Sequence, residues 1–279
     1  MVVIHDLAYL QYPNQVSSVM LWYYQKYMPQ FIEKADQIIA VSQSTSLDII
    51  KHFPASKPKI QVVYNGVRNR GKSILSQEKT AIPGTDKPYF ISIGSIHPRK
   101  NTAGLLRAFE KMREQISQEV NLVIIGRKAW KTQSIQWIYD LHKFKNDIYF
   151  TGYLADEEMF AYLANSVGLV YVSYFEGFGL PIVEAMACGT PVITSDRSSM
   201  KEIAGGAALL VNPEDPADIA AGMTAVLKDL ELRENLRNLG LQRARLFDWD
   251  KAAESIWSLA ETMTLRLPFS IADTPPNNQ

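Results

Sequence analysis

Short β-branched runs alternate with longer amphipathic patterns along most of the chain, and this alternation predicts parallel strands joined by crossover helices. The first series is short. It predicts strands at 2–4, 37–41 and 60–63, with helices at 19–33 and 45–52. Polar and turn-forming residues without periodicity then predict a linker over residues 67–87.

A second and longer series predicts a complete doubly wound sheet. Its strand candidates lie at 89–93, 121–125, 148–150, 168–172, 191–194 and 208–210, and the clearest helix between them is 102–116. Three helical patterns follow without a strand, at 216–228, 231–245 and 249–265, and residues 266–279 are predicted to be a disordered tail. The predicted class is α/β, with a complete C-terminal Rossmann-like unit and a partial N-terminal one.

Composition adds little beyond excluding some partners. The chain has 279 residues, of which 47% are hydrophobic, and its 29 Lys and Arg balance 29 Asp and Glu. No overall charge therefore favours nucleic acid, and any phosphate site must be local. A single cysteine, Cys188, and the lack of an apolar run long enough to cross a bilayer are typical of a cytoplasmic protein.

The most informative stretch follows the strand predicted at 168–172. A loop containing Glu176, Gly177 and Gly179 leads into a helix with Pro181 in its favoured first turn. Free backbone N–H groups and the positive end of the helix dipole suit a diphosphate there, and open α/β sheets bind ligands at the carboxyl ends of their strands. Glu184 lies about one turn inside the helix, so Glu176 and Glu184 are expected to contact different parts of one ligand.

These residues resemble the double-glutamate signature of the retaining glycosyltransferases with the GT-B fold, in the large family four group. The resemblance continues through the loop from Gly94 to Asn101, through Gly152 and Tyr153, and through residues 247–250, so it covers nearly the whole chain. It implies a partial acceptor-binding domain over residues 1–66, a donor-binding domain over 88–246, and a C-terminal helix, 247–265, that crosses back to the first domain. Members of the family carry further strands before the position of His5, so the first domain is expected to be N-terminally truncated.

The same resemblance implies roles for individual residues. Glu176 contacts the hydroxyls of the donor sugar, Lys100 the diphosphate and Glu184 the ribose. His5 reaches the donor sugar across the cleft, although a histidine in a turn is an equally good interpretation. Many relatives carry an arginine where this chain has Ser95, and Arg99 is expected to supply that cation. The other donor-binding candidates are Gly94, Tyr153, Gly177, Phe178, Gly179 and Leu180.

Weaker patterns are interpreted structurally. Asp248 and Asp250 have the spacing of a divalent-metal motif but stand where a helix begins, so an N-cap is expected there and no metal. No cofactor is expected either, because a nucleotide-sugar is a co-substrate. A dinucleotide-dependent oxidoreductase is disfavoured because Gly94 has no Gly-x-Gly-x-x-Gly partners. The aromatic stripe on the first helix could line an acceptor or membrane face, yet its helical spacing favours the core; it comprises Trp22, Tyr23, Tyr24, Tyr27, Met28 and Phe31.

The predicted function is retaining transfer of a sugar from a nucleotide-diphosphate sugar to a saccharide or lipid-linked acceptor. The Pro-Arg-Lys-Asn form of the loop at 98–101 resembles mannosyltransferases, which points to GDP-mannose. The alternative is a catalytically silent nucleotide-binding subunit that needs a separate acceptor domain. Peripheral contact with the inner face of a membrane, or with a missing N-terminal subunit, is a further expectation.

Overall fold

The computed structural model describes residues 1–67, 86–129 and 132–264. They form two α/β lobes, each built on a parallel sheet. The linker predicted at 67–87 lies mostly outside the described residues, and the tail predicted at 266–279 lies wholly outside them.

The small lobe contains three parallel strands in the order β1-β2-β3, namely β1 (Val2–Ile4), β2 (Ile38–Ala40) and β3 (Ile60–Val62). Its helices are α1 (Ala8–Gln11), α2 (Ser18–Lys34) and α3 (Gln43–His52), and short 3₁₀ turns occupy Pro13–Gln15 and Pro54–Lys59. Among the described strands of this lobe, β2 is the one with a neighbour on each side, and all three of its residues are buried. At the edge of the sheet, Val3 of β1 is 43% exposed.

As predicted, the large lobe is a doubly wound parallel sheet, and its six described strands have the order β6-β5-β4-β7-β8-β9. The strands are β4 (Tyr89–Ile93), β5 (Asn121–Ile125), β6 (Ile148–Gly152), β7 (Gly168–Tyr171), β8 (Val192–Ser195) and β9 (Leu209–Val211). Its helices are α4 (Thr102–Gln115), α5 (Gln133–Asp140), α6 (Asp156–Asn165), α7 (Leu180–Ala187), α8 (Ser198–Ala204), α9 (Pro216–Lys228) and α10 (Leu230–Ala244), with 3₁₀ turns at Pro98–Lys100 and Lys145–Asp147. From β4, the chain adds β5 and β6 toward one edge of the sheet and then β7, β8 and β9 toward the other edge. The topological switch point therefore lies between the carboxyl ends of β4 and β7.

Helices cover both faces of the large sheet, which explains the continuous hydrophobic runs in its strands. Alternate residues of a strand point to opposite faces. Ile91 and Val123 therefore pack in one cluster of buried side chains, while Phe90 and Leu122 pack in another.

A final helix, α11 (Trp249–Thr264), returns to the small lobe. Its Ala252 packs against Ile39 and Val63, with Ile256 and Leu259 beside it.

The outer face of α2 corrects one prediction. Trp22 is 56% exposed, Tyr23 41% and Phe31 43%, so the expectation that the aromatic stripe is core is wrong for these three residues. A sheet of three strands buries only a narrow face of a 17-residue helix. That face comprises Leu21, Tyr24, Met28 and Ile32. Among the described residues, no helix has both the length and the apolar character that a membrane crossing requires.

Candidate active site

Two of the residues singled out from the sequence meet at the switch point. Lys100 follows β4 and Glu176 follows β7, and the Lys100 Nζ donates to Glu176 Oε1 at 2.6 Å. The same ammonium donates to the Tyr171 hydroxyl at 3.0 Å. These groups line a cleft of ≈ 240 Å³ between the lobes, to which the small lobe contributes His5, Asp6 and Asn65.

Glu176 is a buried carboxylate held between two cations. It is only 7% exposed, and its second oxygen, Oε2, accepts from Arg99 Nη1 at 3.2 Å. Burial opposes its ionisation, but the charges of Lys100 and Arg99 outweigh that effect and hold the pKa of Glu176 below its ordinary value. Burial first, and then the neighbouring carboxylate, raise the pKa of Tyr171 well above its ordinary value. At neutral pH the cleft therefore presents an ionised carboxylate, an ammonium and a neutral hydroxyl.

The loop that carries Lys100 is fixed by two polar side chains. The Nδ1 of His97 accepts from the backbone N–H of Arg99 at 3.2 Å and starts the 3₁₀ turn. Asn101 takes a left-handed conformation (φ 57°), and its amide donates to Val172 O at 3.1 Å and to Pro213 O at 2.6 Å. Since Val172 follows β7, Asn101 ties the two sides of the switch point together.

The loop that carries Glu176 is held by the start of α8. The Ser198 hydroxyl donates to Glu176 O at 2.6 Å, and the Ser199 hydroxyl lies 2.8 Å from Glu176 O and 2.9 Å from Phe178 O. Gly179 then takes φ +107° as the residue before α7, where a side chain would be strained. The sequence analysis missed both serines. The available signal was a Ser-Ser pair at the start of the helix that follows β8, the strand that neighbours β7.

The small lobe contacts this loop through Gly177. The Gly177 carbonyl accepts from Ser42 Oγ at 2.6 Å and from Thr45 Oγ1 at 3.1 Å. A Cβ at Gly177 would overlap the carbonyl oxygen of His5, so a glycine is required there. Beside this contact, the carboxylate of Glu202 accepts from the N–H groups of Gln43 and Ser44 at 2.8 Å each, at the start of α3.

Most of the predicted site residues share the cleft, and three lie outside it. The cleft is lined by His5, Gly94, Lys100, Glu176, Gly177, Phe178, Gly179 and Leu180. Arg99 lies on the other side of Glu176, where it lines a second cleft of ≈ 610 Å³ that also contains Ser95 and His97. Tyr153 is 67% exposed, with the Arg127 guanidinium 4.8 Å from its ring, and Glu184 is half-buried within α7. The assigned roles of all these residues stay predictions.

The weaker candidates have structural surroundings. The Asp248 Oδ1 accepts from Asp250 N at 2.8 Å, which is the hydrogen bond of an N-cap. Cys188 is buried, and burial raises its pKa to about 12, so it is a poor nucleophile. In the part of the chain that the structure describes, no three His, Cys, Asp or Glu side chains are grouped as metal ligands. That no metal takes part stays a prediction.

Comparison with known proteins identifies the family. Residues 75–243 match the family model described as glycosyl transferases group 1, and residues 1–69 match that of glycosyltransferase family 4. The chain belongs to glycosyl transferases group 1. The predicted family is thus confirmed.

Curated relatives of this group 1 chain include two mannosyltransferases. It is 29% identical over 252 residues to O-antigen chain mannosyltransferase B of Escherichia coli, covering 88% of this chain and 66% of the relative. It is 31% identical over 215 residues to O-antigen chain mannosyltransferase RfbU of Salmonella typhimurium, covering 77% of this chain and 57% of the relative. The chain therefore matches less than two thirds of the length of either relative.

Solved structures confirm the GT-B fold of this group 1 member. Anabaena HepE in complex with UDP and glucose superposes with a TM-score of 0.77 at 20% identity, covering 94% of this chain and 71% of that one. Sucrose-phosphate synthase from Thermosynechococcus elongatus gives 0.76 at 22% identity, with 94% and 67% covered.

Proposed function

We propose that this chain transfers a sugar from a nucleotide-diphosphate sugar to a saccharide or lipid-linked acceptor, with retention at the anomeric carbon. The observation that carries the proposal is the cleft at the switch point, where Lys100, Glu176 and the start of α7 converge. Open parallel sheets bind nucleotides at this position, and an ammonium beside a helix N-terminus suits a diphosphate. No metal or cofactor is part of the proposal, since the nucleotide-sugar is a co-substrate.

The arrangement supports a mechanism driven by the leaving group. Breaking the bond between sugar and diphosphate builds negative charge on the leaving phosphate, and Lys100 with the N–H groups at the start of α7 would stabilise that charge more than the ground state. Glu176 would hold the sugar hydroxyls. Its carboxylate is engaged by Lys100 and Arg99, which disfavours a role as covalent nucleophile. We therefore favour attack by an acceptor hydroxyl on the face from which the nucleoside diphosphate departs, with the leaving phosphate taking the proton of that hydroxyl.

GDP-mannose is the proposed donor. Two curated mannosyltransferases that match most of this chain support the choice. The test is to incubate the protein with GDP-mannose or UDP-glucose, with mannosides and lipid-linked saccharides as acceptors, and to follow release of GDP or UDP. We expect release from GDP-mannose in the wild type, strongly reduced in Lys100→Met, and an axial α-linked product by NMR. Inversion at the anomeric carbon, or no turnover and no nucleotide binding, would contradict the proposal.

The alternative is a nucleotide-binding subunit without activity of its own. The exposed edge of β1, with Val3 43% exposed, favours it because an unpaired strand edge invites another polypeptide. Turnover of GDP-mannose measured with and without the polypeptide encoded upstream separates the two. Activity only in the mixture supports the alternative, and equal activity in both samples supports a self-sufficient enzyme.

A cytoplasmic location with peripheral contact at the inner face of a membrane is also part of the proposal. Exposed Trp22 and Tyr23 on α2, with the Lys26 ammonium 4.8 Å from the Trp22 ring, support such contact. Flotation with anionic and neutral vesicles tests it, and equal recovery from both would argue against an electrostatic contribution.

A further inference from the structure

Tyr171 is the last residue of β7 and forms part of the wall of the cleft beneath Lys100 and Glu176. It is 3% exposed, so its ring is fixed by the surrounding core. The ammonium of Lys100 lies 3.0 Å from its hydroxyl oxygen and 5.3 Å from its ring centroid. The sequence analysis assigned this residue only to a strand.

The number of donors on Lys100 limits what this ammonium can bind. A lysine ammonium carries three N–H donors and no acceptor. One points to the Tyr171 hydroxyl and one to the Glu176 carboxylate, which leaves one for a ligand in the cleft. The hydroxyl of Tyr171 accepts from Lys100 without adding charge to the site.

From this arrangement we infer that Tyr171 is a positioning residue, which holds the ammonium of Lys100 toward the diphosphate of the donor when Glu176 turns to the sugar. The inference rests on the proposed function. A lysine side chain loses considerable rotamer freedom when it is ordered, and an anchor that orders it before binding removes that cost from the binding step. Because the anchor is neutral, it does not compete with the phosphate for the positive charge.

Tyr171→Phe tests the inference, because it keeps the ring and removes the hydroxyl. The probes are GDP and guanosine, with UDP and uridine as a second pair, and their dissociation constants are measured by calorimetry. We expect GDP to bind about tenfold more weakly, because Lys100 must then be ordered during the binding step, while guanosine binds as to the wild type. Turnover should fall mainly in kcat, since Lys100 acts on the leaving phosphate.

Tyr89→Phe is the matched control. Tyr89 is 5% exposed in the same buried cluster, and its hydroxyl donates to Tyr162 O at 2.7 Å, away from the cleft. This variant should lose stability without changing the ratio of the GDP and guanosine affinities. In a Lys100→Met background, Tyr171→Phe should cause no further loss of GDP affinity, because the group it positions is gone.

The outcomes separate this inference from the proposed function. If the wild type binds neither GDP nor UDP, the proposed function fails and the inference fails with it. If the wild type binds GDP and Tyr171→Phe binds it equally well, or loses guanosine affinity to the same extent, the proposed function stands and the positioning role is wrong.

Discussion

At the scale of single residues, the pairing of Glu176 with two cations is the feature of the cleft on which the proposed function and the first stability prediction rest. Lys100 reaches the carboxylate from the cleft and Arg99 reaches it from the opposite side. Removing the carboxylate would leave two cations with no common counterion. The repulsion between the Lys100 and Arg99 cations is therefore relieved only while Glu176 is ionised, and the three groups together still carry one positive charge.

Glu176→Gln should lower the free energy of unfolding by about 2 kcal/mol at pH 7, because hydrogen bonds to a buried charge are lost. The folded pKa of Glu176 is lowered, so its contribution is complete above the ordinary value of 4.5 and is lost as the pH falls through the folded pKa. Urea denaturation at neutral pH and at several acidic pH values should show the gap between wild type and variant closing toward low pH. The exposed Glu254→Gln is the control, and a gap independent of pH would contradict the ion-pair explanation.

The sequence predicts which residues lie at the site more readily than it predicts where their side chains point. Lys100 and Glu176 were identified because each follows a strand within a recognisable loop. The partnership of Lys100 with Tyr171 spans 71 positions, and no local pattern encodes the direction of a tyrosine hydroxyl inside a strand. Arg99 shows the same limit, since its position beside Lys100 in sequence did not reveal that it faces a different cleft.

At the scale of elements, the boundaries of strongly periodic segments were predicted well. The strands at 89–93 and 121–125 and the helix at 216–228 have the predicted bounds. The two strands are buried inside the large sheet and the helix packs against it, so the continuous hydrophobic runs of the strands and the hydrophobic period of the helix both follow from burial. Helix α2 was interpreted less well, because a three-stranded sheet leaves most of its aromatic side chains exposed.

The loop at 175–179 depends on the first turn of α8, so Ser199→Ala should loosen it. The Ser199 hydroxyl is buried and lies 2.8–2.9 Å from two carbonyls of the loop, and losing it should cost about 1 kcal/mol of stability. Amide hydrogen exchange should rise across the loop while α9 is unchanged. Ser255→Ala, which removes the 2.8 Å hydrogen bond to Lys251 O on an exposed helix, is the control. Exchange that rises equally in α9 would indicate general destabilisation instead.

At the scale of the whole molecule, side chains from distant parts of the chain join the two lobes. Tyr64 after β3, Phe178 in the loop before α7 and Phe247 before α11 have ring centroids 5.6–6.3 Å apart. A Cβ at Gly66 would overlap the backbone of Trp249. The family resemblance predicts that the last helix crosses back to the first domain. It does not predict these contacts, because their partners lie far apart in the sequence.

The packing of α11 on the small lobe makes the stability of the two lobes interdependent. Ala252 is 5% exposed and lies between Ile39 and Val63, so Ala252→Asp would place a carboxylate in that apolar contact. We expect a loss of roughly 3 kcal/mol, since a buried charge without a partner is left. The small lobe should unfold first, which would split a single calorimetric transition into two.

Ala253→Asp is the control for this change, because it adds the same carboxylate one position away on the exposed side of the helix. Its unfolding should match that of the wild type within about 0.5 kcal/mol. Equal losses in the two variants would mean that the carboxylate acts on helix α11 itself. A loss confined to Ala252→Asp, without a separate transition, would mean that the small lobe draws stability from α11 but unfolds together with the large lobe.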